Sequence, residues 1–313
     1  MKRLQYIGKR LLYAAATLIG ISILLFVLLR VMPGGPAVAL LGVMATPEQI
    51  AALNTLYGFD QPILTQYFTY IGNLLQGDLG RSMIFRRPVS EVIANALPVT
   101  LSLAAYVLVL SVVSTVILGV IAALRKGTLI DNVIRSVPLF GIGLPVFWIG
   151  AVLLYLFALV FPIFPAGGLK PGVGGFLWSL FLPALAISVS ISAILIRSMR
   201  RALIDVLESD YVTTARAAGL RGNRLLFGHI LFNAAIPTLT LFGVVFVSLL
   251  GGTIIIEQVF ALPGIGKLLI QSFAQRDIAL VMGIVLVTAA IILIVNILLD
   301  LLFTIIDPRV TLS

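Results

Sequence analysis

Six predominantly apolar stretches, at 11–31, 99–124, 133–161, 176–196, 234–256 and 278–306, occupy most of this 313-residue chain. A helix of about 20 such residues crosses a ~30 Å hydrocarbon core, and no soluble domain buries six of them in series. Composition agrees: 60% of residues are hydrophobic and 11% charged, against roughly a quarter charged in an average soluble domain. The expectation is an all-α integral membrane protein of about six transmembrane helices, forming a single transmembrane domain over 1–313. The first stretch is too long for a secretory signal core and no small-x-small cleavage site follows it, so it reads as a retained first helix.

The net charge of +9 sets topology rather than nucleic-acid binding, because the basic residues sit in short clusters between apolar runs. With both termini cytoplasmic, fourteen of the 21 basic residues fall on the inner side, six on the outer side, and Arg30 at a membrane boundary. That is the positive-inside bias.

Two connections are long. The segment 32–98 faces outward and contains a helix start at Thr46, a capping residue followed by Pro47 at the first helical position and Glu48 at the positive helix end. The segment 197–233 faces the cytoplasm and reads as a short Ala-rich helix over 210–219 that breaks at Gly219, with a second helical piece from Asn223. A partner-docking element and a solvated amphipathic connector both fit that pattern.

The chemistry of catalysis is missing. There is no cysteine and a single histidine, His229, which fits a packing role, and neither a two-His metalloprotease helix nor a Gly-x-Ser-x-Gly elbow occurs. The nearest approach to a phosphate-binding loop, Gly264-Ile265-Gly266-Lys267, has Ala261 at the earlier glycine position and Leu268 after the lysine. The expectation is no catalytic residue, no metal and no cofactor bound by this chain. Glu257 and Asp300 are the carboxylates nearest membrane depth, and the sequence places each close enough to a boundary to reach interfacial water or pair with neighbours. Prolines and glycines within the stretches, Pro138 to Pro145 above all, suggest an irregular third helix, suited to a gate or to close packing.

The run Asp210-Tyr211-Val212-Thr213-Thr214-Ala215-Arg216-Ala217-Ala218-Gly219-Leu220, followed by His229-Ile230-Leu231-Phe232-Asn233-Ala234-Ala235-Ile236-Pro237, resembles the EAA loop of bacterial ABC-importer permeases. It is closest to the dipeptide/oligopeptide/nickel branch. Pro33-Gly34-Gly35-Pro36, Gln66-Tyr67 before Gly77-Asp78-Leu79-Gly80, Pro263-Gly264-Ile265-Gly266, Arg276-Asp277 and Asp307-Pro308-Arg309 extend the likeness over nearly the whole chain. The chain departs from that family's usual pattern at Ala218, where lysine is common, and at Gly35, where aspartate is.

The resemblance implies a membrane-spanning subunit forming half of a translocation pathway for peptides or related small solutes, with glutathione and metal chelates among the cargoes of relatives. Its implied partners are a second homologous permease, two cytoplasmic ATPase subunits that hold ATP and magnesium, an extracytoplasmic substrate-binding protein and the lipid bilayer of a bacterial or archaeal inner membrane. Nucleic acid is not among them. It further implies an ATPase-coupling set of Asp210, Tyr211, Thr214, Ala215, Arg216, Ala217, Ala218, Gly219, Leu220, Arg221, Arg224 and His229. Glu257, Pro263, Gly264 and Gly266 are candidates for an external face or gate. The competing class is a self-sufficient secondary transporter or channel, which would show inverted repeats or several polar residues at the membrane midplane.

Overall fold

The computed structural model describes residues 2–31, 35–42 and 44–306; Pro33, Gly34 and the Asp307-Pro308-Arg309 motif lie outside them. Among the described residues the regular structure is helical, save one isolated bridge between Arg81 and Pro88. In chain order the helices are α1 (Lys2–Val31), α2 (Gly35–Leu41), α3 (Pro47–Tyr57), α4 (Ile63–Leu75), α5 (Val89–Leu124), α6 (Leu129–Gly143), α7 (Val146–Leu154), α8 (Gly172–Leu207), α9 (Asp210–Ala217), α10 (Gly222–Leu225), α11 (Leu231–Val259), α12 (Ile265–Ala274) and α13 (Ile278–Ile306). Single π turns, Tyr155–Val160 and Leu226–Ile230, follow α7 and α10.

Among the described residues, four helical stretches are long and apolar enough to cross a membrane: Gly8–Val31, Val89–Leu124, Gly172–Leu207 and Ile278–Leu301. Leu226–Ala235 with Pro237–Gly243, bent by 45°, makes a fifth if counted as one span. The chain is an all-α integral membrane protein. The stretch expected as a third span, 133–161, is divided between α6 and α7 at Leu144, which is extended at φ −102° and ψ 137°. Pro145 explains the break, since its ring disfavours the helical region for the residue before it and it has no N–H to give.

Several helices start or end elsewhere than the hydropathy suggests, α1 among them, which starts at Lys2 rather than 11. Helix α5 starts at Val89, ten residues before the expected 99, and contains Pro98; α8 continues to Leu207, beyond the expected end at 196. Amphipathic first and last turns carry these helices past their apolar runs.

The described residues divide into two compact units, one drawn from 2–99 with 263–297 and the other from 100–262 with 298–306. In the first, Val89, Val92, Ile93 and Ala96 of α5 pack with Ile265 and Leu268 of α12 and with Ala279, Leu280 and Ile284 of α13. Leu25 and Leu29 of α1 meet Met282, and Phe26 sits edge-on to Tyr67 of α4 with centroids 5.1 Å apart. Asp277 is 1% exposed and ties this unit together: Oδ2 accepts from Ser82 Oγ at 2.5 Å and Ile84 N at 3.2 Å, while Oδ1 accepts from Leu280 N at 3.2 Å and caps α13. The expected cap at Thr46 forms a capping box with Gln49, and the Glu48 carboxyl is held below its usual range by its own backbone N–H and by Thr46.

In the second unit α8 is central, packed by α6, α7 and α11. Residues 100–124 of α5 run parallel to it in close register. Ser188 Oγ donates to Val107 O at 3.3 Å, Ser114 and Ser192 hydroxyls meet at 2.9 Å, and Gly119 lies against Met199. Small and hydroxyl-bearing residues at such a seam let helices approach closely in lipid, where hydrophobicity alone drives no association.

Candidate functional site

The segment 208–233 of the second unit is a short helix clamped onto the ends of two long ones. It begins where α8 stops. Ser209 is extended at φ −78° and ψ 151°, and its hydroxyl donates back to Val206 O at 2.5 Å, so the chain turns before α9 begins. Asp210 in the first turn and Arg216 in the last match the helix dipole.

The end of α9 is set by backbone geometry. Leu220 N donates to Ala215 O and Gly219 N to Arg216 O, each at 3.0 Å, the paired bonds of a Schellman motif. The motif needs a left-handed residue, and Gly219 supplies it at φ +91°. The break expected at Gly219 is therefore where the sequence places it, and a second helical piece, α10, begins at Gly222.

Burial divides α9 into two faces. Val212 is wholly buried, with Ala215 and Leu220 beside it, against Met199, Leu203 and Ile204 of α8, Leu225 of α10, Ile230, and Ala234 of α11. Asp210, Tyr211, Thr214, Arg216, Ala217, Ala218 and Gly219 are exposed, as are Arg221, Arg224 and His229. Of the twelve residues expected for coupling, only Ala215 and Leu220 turn inward, and they are the two that anchor the helix. His229 does not pack as expected; its ring is exposed and its backbone carbonyl is the contact, accepting from Asn233 Nδ2 at 2.7 Å. Asn233 Nδ2 also reaches Tyr211 Oη at 3.2 Å, which fastens the start of α9 to the start of α11.

Two ion pairs brace the same end of the unit. Lys126 Nζ meets Glu208 Oε1 at 2.5 Å on the surface. Asp131, buried at the first turn of α6, accepts from Arg200 of α8 through both oxygens and from Gly127 N at 2.9 Å. The guanidinium of Arg200, and then the Gly127 N–H, hold its carboxyl below the usual carboxylate range against the opposing effect of burial. The sequence gives no local signal for either pair, since the partners are 82 and 69 residues apart.

The residues expected at an external face or gate fall in different units. Glu257 belongs to the second unit, is fully buried there, and accepts from Thr100 Oγ1 at 2.7 Å; of the two environments expected for it, pairing with neighbours is the one present. Pro263, Gly264 and Gly266 belong to the first unit, where Gly264 and Gly266 are buried at the head of α12 and Pro263 is exposed.

Residues 115–312 match the family described as binding-protein-dependent transport system inner membrane component, and residues 3–104 match the N-terminal part of such membrane components. The chain is 37% identical over 305 residues to a putative peptide transport system permease protein of Brucella abortus strain 2308, covering 96% of this chain and 97% of that one. It is 35% identical over 311 residues to the oligopeptide transport system permease protein AppB of Bacillus subtilis, covering 97% and 98%. It is 36% identical over 332 residues to the di/tripeptide transport system permease protein DppB of Pseudomonas aeruginosa, covering 98% of each.

Proposed function

Because this chain belongs to the family of binding-protein-dependent transport system inner membrane components, we propose that it is a permease subunit of an ATP-driven importer of di- and oligopeptides. It is a transporter component, not an enzyme, and works in a membrane complex with ATPase and binding-protein partners. In the finer reading it pairs with one further homologous permease and with two ATPase subunits that hold ATP and magnesium, and both its termini are cytoplasmic.

The observation that carries this reading is α9. A helix of eight residues has too few hydrogen bonds to persist alone, yet this one is fixed by its Val212 face, its Schellman end and the Tyr211–Asn233 contact. What it presents outward is small or cationic: Ala217, Ala218 and Gly219 between Arg216 and Arg221. Small residues admit close approach of another backbone, and guanidinium groups meet carboxylates and carbonyls. ATP favours the closed arrangement of the ATPases, and movement of α9 with them biases the permease between inward-open and outward-open states.

Isolation of the tagged chain from native membrane, with identification of its partners, tests the proposal. Recovery of a second permease and ATPase subunits is expected. Recovery of the chain alone, with solute uptake driven by an ion gradient, would establish the secondary-transporter reading instead.

A further inference from the structure

The first unit contains a cavity of about 510 Å³ that the transport reading does not use. Its lining is sorted by chemistry. Phe26 and Leu29 of α1 with Met282 and Leu286 of α13 form an apolar wall, and Arg30, Arg81 and Arg86 line the polar part. The polar part also holds Tyr70 of α4, whose buried hydroxyl has no hydrogen-bond partner, a state that protein interiors rarely leave unmet. Burial, and Tyr67 beside it, push the Tyr70 phenol up to about 12, so it is a neutral donor at any physiological pH.

Among the described residues the three arginines have no acidic partner. Arg30 stacks on Phe26, 3.3 Å from the ring centroid, and donates to Phe26 O at 3.1 Å and to Gln66 Oε1. Arg81 Nη2 donates to Arg86 O at 3.2 Å. None of the three belongs to an ion pair among the described residues. The loop that carries Arg81 and Arg86 is held by the Asp277 clamp through Ser82 and Ile84, so the cationic side of the cavity is fixed in place.

We propose that this cavity binds a phospholipid of the surrounding bilayer, its phosphate against Arg30, Arg81, Arg86 and the Tyr70 hydroxyl and the start of an acyl chain along the Phe26–Met282 wall. Location and charge favour lipid over peptide. The apolar stretch Gly8–Val31 has 24 residues, about 36 Å of helix, which puts Arg30 in its last turn at headgroup depth. Cationic and aromatic residues concentrate at that depth, where they meet phosphate. Helix α4, alongside, turns Leu64 and Phe68 outward, each 69% exposed, a face suited to the bilayer interface. A peptide would bring an ammonium group as well as a carboxylate, and the lining sets three guanidinium groups against one acid, Asp78, whose Oδ1 accepts from Gly80 N at 2.8 Å. The volume is that of a headgroup with its first methylenes, not of a whole lipid.

The test is photolabelling of the assembled complex in nanodiscs of phosphatidylethanolamine and photoreactive phosphatidylglycerol, with labelled peptides mapped by mass spectrometry. Labelling is expected within 63–86 of this chain, falling about fivefold in Tyr70→Phe, which removes one hydrogen bond, and further in Arg81→Gln with Arg86→Gln, both surface positions. Labelling absent from this segment, or equal in the native chain and all variants, overturns the proposal. Loss of labelling on adding a dipeptide would make the cavity a substrate subsite, and loss on adding inorganic phosphate alone would make it a free-anion site; either contradicts a lipid site.

Discussion

Arg200 holds the buried carboxylate of Asp131 by two hydrogen bonds, Nε to Oδ1 and Nη2 to Oδ2, each 2.6 Å long, with side chains 17% and 0% exposed. Breaking such a pair on one side leaves a charge without its partner, at about 3–5 kcal/mol, whereas replacing both groups by apolar ones costs far less. Asp131→Asn is therefore expected to lower the temperature at which the solubilised complex aggregates by much more than Asp131→Leu combined with Arg200→Met.

The same pair fixes a pH dependence. The Asp131 carboxyl titrates below its usual range in the folded chain, so its stabilisation is fully present above the ordinary aspartate value of about 3.9 and is lost as pH falls through the lowered folded value. The stability gap between native chain and Asp131→Asn is expected to stay level from about pH 5 to 8 and to close below about pH 4. Thermal unfolding of both proteins across that range checks it.

At Gly219 an added Cβ meets nothing within 4 Å, so any effect of substitution comes from the backbone angle of +91°. Gly219→Ala should cost about 1 kcal/mol and reduce peptide uptake, while Gly219→Asn, better tolerated in left-handed backbone, should retain more of both. Uptake by whole cells, normalised to membrane abundance, separates the two.

Gly283 is the opposite case. A Cβ there would lie 2.4 Å from Val89 Cγ1, within the core of the first unit. Gly283→Ala is expected to destabilise by about 1–3 kcal/mol, and Val89→Ala in the same chain to restore part of that loss. Equal stability of the single and double variants would show that the contact is not limiting.

If α9 is the coupling helix proposed above, its two faces separate folding from coupling. Val212→Asp buries an unpaired charge and is expected to abolish accumulation of the chain, whereas Ala217→Asp, on the exposed face, should leave the chain inserted and lose ATPase subunits on purification.

What was legible in the sequence follows the range of the interactions involved. Capping is local, so Thr46, Pro47 and Gly219 announce their roles directly, and the spans announce themselves through hydropathy. The break at Leu144–Pro145 lies between two apolar halves that a hydropathy window merges, although the prolines flag an irregular helix. The first turns of α5 were hidden because Pro98 and the polar residues before it look like loop, while Val89, Val92, Ile93 and Ala96 form a helical stripe that only α12 and α13 give a reason to bury. The contacts that hold the candidate site, Lys126 with Glu208 and Tyr211 with Asn233, join residues far apart in the chain and have no signature before the fold exists. Glu257 shows the same limit: its position near a span end suggested access to water, and Thr100, 157 residues away, is one of the groups that meet it in the interior.

The chain has no cysteine, which makes the central claim open to a direct test by single introduced thiols. In the assembled complex, Ala217→Cys is compared with Met44→Cys, which is 94% exposed in the segment read as external, using a short cysteine-to-lysine cross-linker. If α9 is the coupling element, Ala217→Cys joins this chain to an ATPase subunit and Met44→Cys does not. An ATPase adduct through Met44→Cys with none through Ala217→Cys would contradict both the coupling role and the orientation on which it rests.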